Sequence, residues 1–263
     1  MDGSNWTPRY CGHSASNGGG TCHNNESQFY LPEQISISPN GSAVITTQRI
    51  SVRPSLGTCL GSVCSFTSGR FDTQGKIAFQ FGYFEARIKM PRGAGNWPAL
   101  WMLGENITSV GWPTSGEIDI MEQWRAQIGR SSAATHFRDR AGGHRFDSGE
   151  INLNVDFAQD FHTYSLVWLP DKLEFYVDGI LFFRENRLGS TNCNYISANV
   201  KNPNCTAQTD QWPFNAPHFL IFNNAVSDQS VNFNKWDGWE SSQMEIDYVR
   251  FFQIESYGQV FKR

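Results

Sequence analysis

Three carboxylates crowd one short run, Gly116-Glu117-Ile118-Asp119-Ile120-Met121-Glu122-Gln123-Trp124. Acids set among apolar residues in this way suit cleavage of a glycosidic bond. One carboxyl protonates the leaving oxygen while a second attacks or assists, and retaining enzymes hold the two about 5–5.5 Å apart. In a regular strand Glu117 and Asp119 share a face and Glu122 points to the other. Residues this far apart along a strand are also separated by roughly 13 Å at Cα. A β-bulge near Ile120-Met121 takes up one residue and returns Glu122 to the face of its companions. Crowded carboxylates raise at least one pKa, which suits an acid that must keep its proton near neutral pH. The competing reading is a solvated face of an edge strand.

Short alternating runs must position these acids. Gln34 to Ser38 and Ala43 to Gln48 flank a Pro39-Asn40-Gly41 turn, and Lys76 to Phe81 and Tyr83 to Met90 are broken at Gly82. Further strands are expected over Pro98 to Leu103, Gly116 to Trp124, Ala133 to Phe137 and Thr163 to Leu169. Lys172 to Val177 and Ile180 to Glu185 flank Asp178-Gly179, a hairpin dipeptide. Phe219 to Ala225 and Met244 to Gln253 close the series. No segment has sustained helical periodicity with caps at both ends, and no repeat or linker interrupts the pattern. The expectation is one all-β domain over residues 1–263, a sandwich or barrel.

Bulk properties narrow the partners. The 263 residues carry 21 Lys+Arg against 25 Asp+Glu, a net charge of -4, which gives no reason to expect nucleic acid. No apolar run approaches the roughly 18 residues that a membrane span needs, and no leader-like stretch opens the chain. Aromatic residues reach 14%, with nine Trp, and flat rings suit both sugar faces and ordinary cores. Six cysteines fall into close pairs, Cys11 and Cys22, Cys59 and Cys64, Cys193 and Cys205, all in polar loops. Disulfides are favoured over a metal site, although neighbour pairing is one of about 15 connectivities. Asn5, Asn25, Asn40, Asn106 and Asn204 head N-x-Ser/Thr sequons. Together these features favour a secreted, glycosylated protein. Nothing demands a partner protein, so a monomer is expected.

A wider set of motifs carries a resemblance. The run Gly82 to Pro91, then Asn96-Trp97-Pro98-Ala99-Leu100-Trp101-Met102-Leu103, then Trp112-Pro113 and Gly116 to Glu122, resembles the laminarinase branch of glycoside hydrolase family sixteen. Cys22 to Glu26 with Phe29-Tyr30, Phe161 to Tyr164 with Val167-Trp168, Phe175 to Gly179, Phe219 to Val226 and Met244 to Val249 extend it over most of residues 22 to 253. The resemblance implies a curved, concanavalin-like β-jelly roll with a substrate groove across its concave sheet. It implies Glu117 as nucleophile, Asp119 as its electrostatic neighbour and Glu122 as acid/base, in the bulged E-x-D-x-x-E form. It places Trp97, Trp101 and Trp112 near the cleft, two of them against sugars. His136 would face the groove beside the acids, unless it is an ordinary structural histidine. Asn223, Asn24 and Arg87 are further substrate-binding candidates, and Trp124 belongs to either core or groove.

Departures from the family pattern matter as well. The usual opening strand with Asp-Glu-Phe is not found before Trp6; it is either absent or replaced by a diverged amino terminus, leaving a neighbouring sheet edge open. Asp247 matches a family position for a structural calcium, but part of that ligand set belongs to the absent strand. No cofactor is required for catalysis. Ser227-Asp228-Gln229 replaces a usual Gly-Gly pair, which would reshape the end of the groove. Arg125, Arg130, Arg138 and Arg140 keep a charged polysaccharide in view, while the bulged motif and Trp-Pro pairs favour laminarin. The expected activity is retaining endo-hydrolysis of β-1,3-glucan, with mixed-linkage β-1,3-1,4-glucan as a second substrate. A non-catalytic glucan-recognition protein and a transglycosylase are the alternatives. The intact acids argue against the former.

Overall fold

The computed structural model describes residues 2–11, 26–50, 58–59, 62–123, 129–139, 141–187, 212–227 and 236–263. It is a β-jelly roll of two nine-stranded sheets. The first, the groove sheet, runs in the order Thr7–Pro8, Arg70–Asp72, His218–Val226, Asn96–Gly104, Glu117–Glu122, Arg130–Arg138, His144–Asn152, with Ile77–Gln80 and Gln259–Lys262 beside it. The second, the outer sheet, runs Ile180–Asn186, Lys172–Val177, His162–Leu169, Gly82–Lys89, Ser241–Phe252, Ala43–Arg49, Phe66–Ser68, Gln28–Tyr30, and Ile35–Ile37 pairs with Ala43–Arg49. Helix among the described residues amounts to one turn at Ile107–Val110 and 3-10 turns at Pro32–Gln34 and Pro213–Asn215. No helix is long and apolar enough to cross a membrane.

The sheets meet through side chains that alternate in and out. In Gly82–Lys89 the residues Phe84, Ala86 and Ile88 are buried, while Tyr83, Glu85, Arg87 and Lys89 face outward. One core joins these to Leu100, Met102, Ile118, Ile120, Met121, Phe137, Tyr164, Leu166, Trp168, Phe175 and Phe222. Asp178-Gly179 forms the expected hairpin with positive φ at both residues, 49° and 77°, as a type I′ turn requires. A few polar ties cross the apolar layer. Asn224 Nδ2 donates across it to Thr47 Oγ1 at 2.7 Å and, within its own sheet, to Asn96 Oδ1 at 2.8 Å, and Ser68 Oγ of the outer sheet donates to the Asn224 carbonyl at 2.5 Å.

The structure corrects three expectations. Arg87 does not reach the groove. Its position in the alternation puts it on the outer sheet, where its guanidinium lies 4.5 Å from the Phe161 ring centre and Nη1 donates to Asp247 Oδ2 at 2.6 Å. Asp247 is the extra residue of a β-bulge, since Arg87 opposes Tyr248 and Ile88 opposes Ile246. Its carboxylate is therefore neutralised by a side-chain cation, and the residues present do not fit a calcium ion at this position. Nor is the sheet edge open. Thr7 and Pro8 pair with Asp72 and Phe71, Arg9 Nε and Nη2 donate to Asp72 at 2.5 Å, and the Trp6 ring meets Phe71 at 5.2 Å. The amino-terminal segment caps the edge with different residues, and a proline there discourages further pairing.

Several candidates fall outside the described residues: Asn24, Trp124, Arg125, Arg140, Asp228 and Gln229, the sequons at Asn25 and Asn204, and Cys22, Cys193 and Cys205. Cys11 and Cys64 are buried and disulfide-bonded, and the connectivity lies outside the described residues.

Arg87 and Asp247 are both partly exposed, and such pairs contribute at most about 1 kcal/mol. Arg87→Ala should lower stability by no more than that, with kcat/KM unchanged on any substrate. Thermal melts with and without a calcium chelator should coincide. A large loss of activity in Arg87→Ala would return the residue to the groove.

Candidate active site

The strand Glu117–Glu122 lies between Asn96–Gly104 and Arg130–Arg138, antiparallel to both. Gly116 enters it with φ 81°, and a Cβ there would meet Pro213 Cγ at 2.8 Å, so the entry turn calls for glycine. The expected bulge is present. Asp119 opposes Ala134 and Glu122 opposes Ser132, so three steps on one strand match two on the other. On the other side Trp101 opposes Asp119 and Leu100 opposes Met121, which leaves Ile120 unpaired. Ile118, Ile120 and Met121 all enter the core, and the three acids are left on the groove side. The extra residue decides the geometry.

Each acid has its own partners. Trp112 Nε1 donates to Glu117 Oε2 at 2.5 Å, and Trp97 Nε1 donates to Glu122 Oε1 at 2.8 Å. His136, directly across from Glu117, brings Nε2 within 3.3 Å of Asp119 Oδ2. Beyond these, Trp101 Nε1 donates to Asn223 Oδ1 at 2.7 Å, and Asn223 Nδ2 donates to Tyr30 Oη at 3.1 Å. The Tyr30 hydroxyl donates to Glu26 Oε2 at 3.2 Å, and the Arg70 guanidinium sits 4.9 Å from the Trp101 ring centre. Trp97, Trp101, Trp112, His136 and Asn223 thus gather around Glu117, Asp119 and Glu122. Among the described residues, the acids and histidine close enough to share an ion are Glu117, Asp119 and His136, a set that excludes Asp247. Arg130 is held by Glu150, which removes one of the four arginines from service toward a charged polysaccharide.

Some contributors were not singled out in the sequence. Glu26 and Tyr30 sit in the quoted segment Cys22 to Tyr30, but nothing there says that the strand Gln28–Tyr30 brings them beneath Asn223. Arg70 falls in a three-residue strand with no alternation to read. His144–Asn152 carries too many polar residues to show a strand pattern, and its burial is that of a half-covered edge.

Burial dominates the electrostatics. The Glu117 carboxyl is pushed up to about 8 by burial and by the charge of Asp119, against the pull of His136 and the Trp112 N–H. Glu122 is pushed up to about 7 by burial; the Trp97 N–H lowers it and Glu117 raises it. Asp119 lies well above the usual carboxylate range, through burial and the charge of Glu122, while its hydrogen bond to Glu117 pulls downward. Three buried like charges cannot coexist cheaply, so the cluster holds at least one proton at neutral pH. One carboxyl can then donate a proton while another attacks.

Folded-state values raised above the unfolded ones favour folding most at low pH, and that advantage is lost as pH rises through about 7 to 8. Glu117→Gln removes one of these ionisations. Its melting temperature should exceed that of the unsubstituted protein at pH 9, with a smaller difference at pH 5. Equal differences at both would argue against a strained carboxylate cluster.

Comparison with known proteins agrees with this geometry. A sequence model described as "Glycosyl hydrolases family 16" matches residues 24–215. The chain is 32% identical over 259 residues to a glucan endo-1,3-beta-glucosidase of Cryptopygus antarcticus, covering 95% of this chain and 88% of that protein. It is 34% identical to glucan endo-1,3-beta-glucosidase A1 of Niallia circulans over 72% of this chain, but spans only 26% of that longer protein. The laminarinase catalytic domain of Thermotoga maritima superposes with a TM-score of 0.76 at 29% identity, over 97% of this chain and 94% of that one. With the bulged acids and the two-sheet frame in agreement, the chain belongs to glycosyl hydrolases family 16.

Proposed function

We propose that this protein is a retaining endo-β-1,3-glucanase acting on laminarin-type glucan, with mixed-linkage β-1,3-1,4-glucan as a further substrate. The observation that carries the reading is the single extra residue between Asp119 and Glu122, which puts three carboxyls on one face. The names of the glucan endo-1,3-beta-glucosidase and laminarinase relatives support the substrate class.

The roles follow from the partners. Glu117 attacks the anomeric carbon as the carboxylate in the form of the coupled cluster whose proton rests on Glu122; the Trp112 N–H and His136 favour the charged form of Glu117 against the burial and the Asp119 charge that raise its carboxyl. Glu122, protonated, gives its proton to the leaving oxygen. The glycosyl ester on Glu117 is then opened by a water whose proton passes to Glu122, so configuration is kept and both groups are regenerated. Asp119 lies between them against His136 and holds the Glu117 carboxyl in place. Trp97, Trp101 and Asn223 line the groove, and a ring such as Trp101 offers a flat face to a sugar. A polymer of this kind is met outside the cell. That supports secretion, as do the sequons, of which those at Asn40 and Asn106 are exposed.

Glu117→Gln and Glu122→Gln should each cut kcat on laminarin by about 10³-fold or more, while oligosaccharide binding persists. Proton NMR of the first product should show the β-anomer. Full activity in either variant, or an α-anomer first, would reject these roles. The alkaline limb of kcat/KM should report loss of the proton shared by the cluster, above the ordinary carboxylate range. Trp97→Phe removes a donor that favours the charged form, so this limb should move to higher pH. A limb that stays in place would mean that another group titrates.

A further inference from the structure

We propose that His144 and Phe146 extend the ring of Trp112 into an aromatic platform that holds a sugar unit of the polysaccharide away from the cleavage point, on the side of Glu117 opposite Trp101. The proposal rests on the glucanase reading and adds a position along the chain to it. Of the described Phe, Trp and Tyr side chains, Phe146 and Trp112 are the two most exposed, at 54% and 49%. Both lie beside the acids rather than scattered over the surface. Glu117 opposes His136, and His136 opposes Phe146, so the three form one row across adjacent strands. Strands sit roughly 4.7–4.9 Å apart, which puts Phe146 about 10 Å from Glu117 across the sheet. A glycan chain lying across the strands from the acids would pass over it.

The rings make a continuous patch. His144 sits 4.6 Å from Trp112 and 5.1 Å from His136, nearly parallel to the latter at 14°. Phe146 lies 4.8 Å from His136. His144 Nε2 is 2.9 Å from His136 Nδ1, which fixes both rings against the groove floor. About half of the Phe146 and Trp112 surface nevertheless stays in contact with water. The C–H face of a pyranose would cover them, and the neighbouring imidazoles offer polar edges for its hydroxyls. Glu117 is tied to the same patch through Trp112 Nε1.

The test uses the full chain with laminarin and laminarihexaose. Phe146→Ala should raise KM for laminarin by about tenfold with kcat within about twofold, and should shift the product distribution from laminarihexaose. Phe146→Trp should restore both. Phe146→Leu, which keeps apolar volume without a flat ring, should not. His144→Ala should act in the same direction. Unchanged KM and products in Phe146→Ala, or full rescue by Leu, would overturn the platform while leaving the glucanase reading intact. A parent protein that leaves laminarin uncut would instead sink that reading. The same variants would then be compared on lichenan, where an unchanged KM again rejects the platform.

Discussion

The site depends on one conflict and its resolution. A strand that buries one face sends alternate residues inward, so acids at 117, 119 and 122 cannot all reach the groove from a regular strand. The extra residue absorbed between Asp119 and Glu122 resolves this, and it does so at the expense of a ladder position at Ile120. Ile118, Ile120 and Met121 all contribute to the core, so hydrophobic burial holds the bulge in place. The same side chains that stabilise the sandwich therefore aim the acids. Packing and chemistry share one short segment.

The surroundings of the acids follow from their burial. A carboxylate withdrawn from water needs hydrogen-bond donors, and indole N–H groups supply them to Glu117 and Glu122. Indole donors carry no charge, so they orient a carboxyl without pinning it as an anion in the way that an arginine would. The carboxyls stay near the proton affinities that acid/base work requires. On the outer sheet the opposite solution operates, where the cations Arg87 and Lys89 pair with Asp247 and Glu245.

Much of this was legible in the residues. The alternation in Tyr83 to Met90, the Asp178-Gly179 turn and the acids with their required kink are local signals, and local geometry realises each of them. Arg87 shows the limit. A strand pattern tells which residues share a face, but not which of two sheets the strand joins, so its alternation alone could not exclude the groove. Asp247 adds a second limit, because the partner that neutralises it lies 160 positions away. The edge strands Thr7–Pro8 and His144–Asn152 and the inner strand Arg70–Asp72 are short or polar. Their pairing is specified by neighbours distant in sequence, and so they escaped a reading of periodicity.

Adjacent residues in His218–Val226 point in opposite directions with different effects. Asn223 supports Trp101 at the groove, while Asn224 reaches across the interior to Thr47 and is tied to Asn96 on the neighbouring strand of its own sheet. Apolar contact between two sheets resists separation but is indifferent to lateral slip. An amide anchored on both sides would lose its partners if one layer slid over the other, which costs far more than a change in contact area. That buried amide acts as a dowel, and the alignment of the groove floor is inherited from a joint on its hidden side.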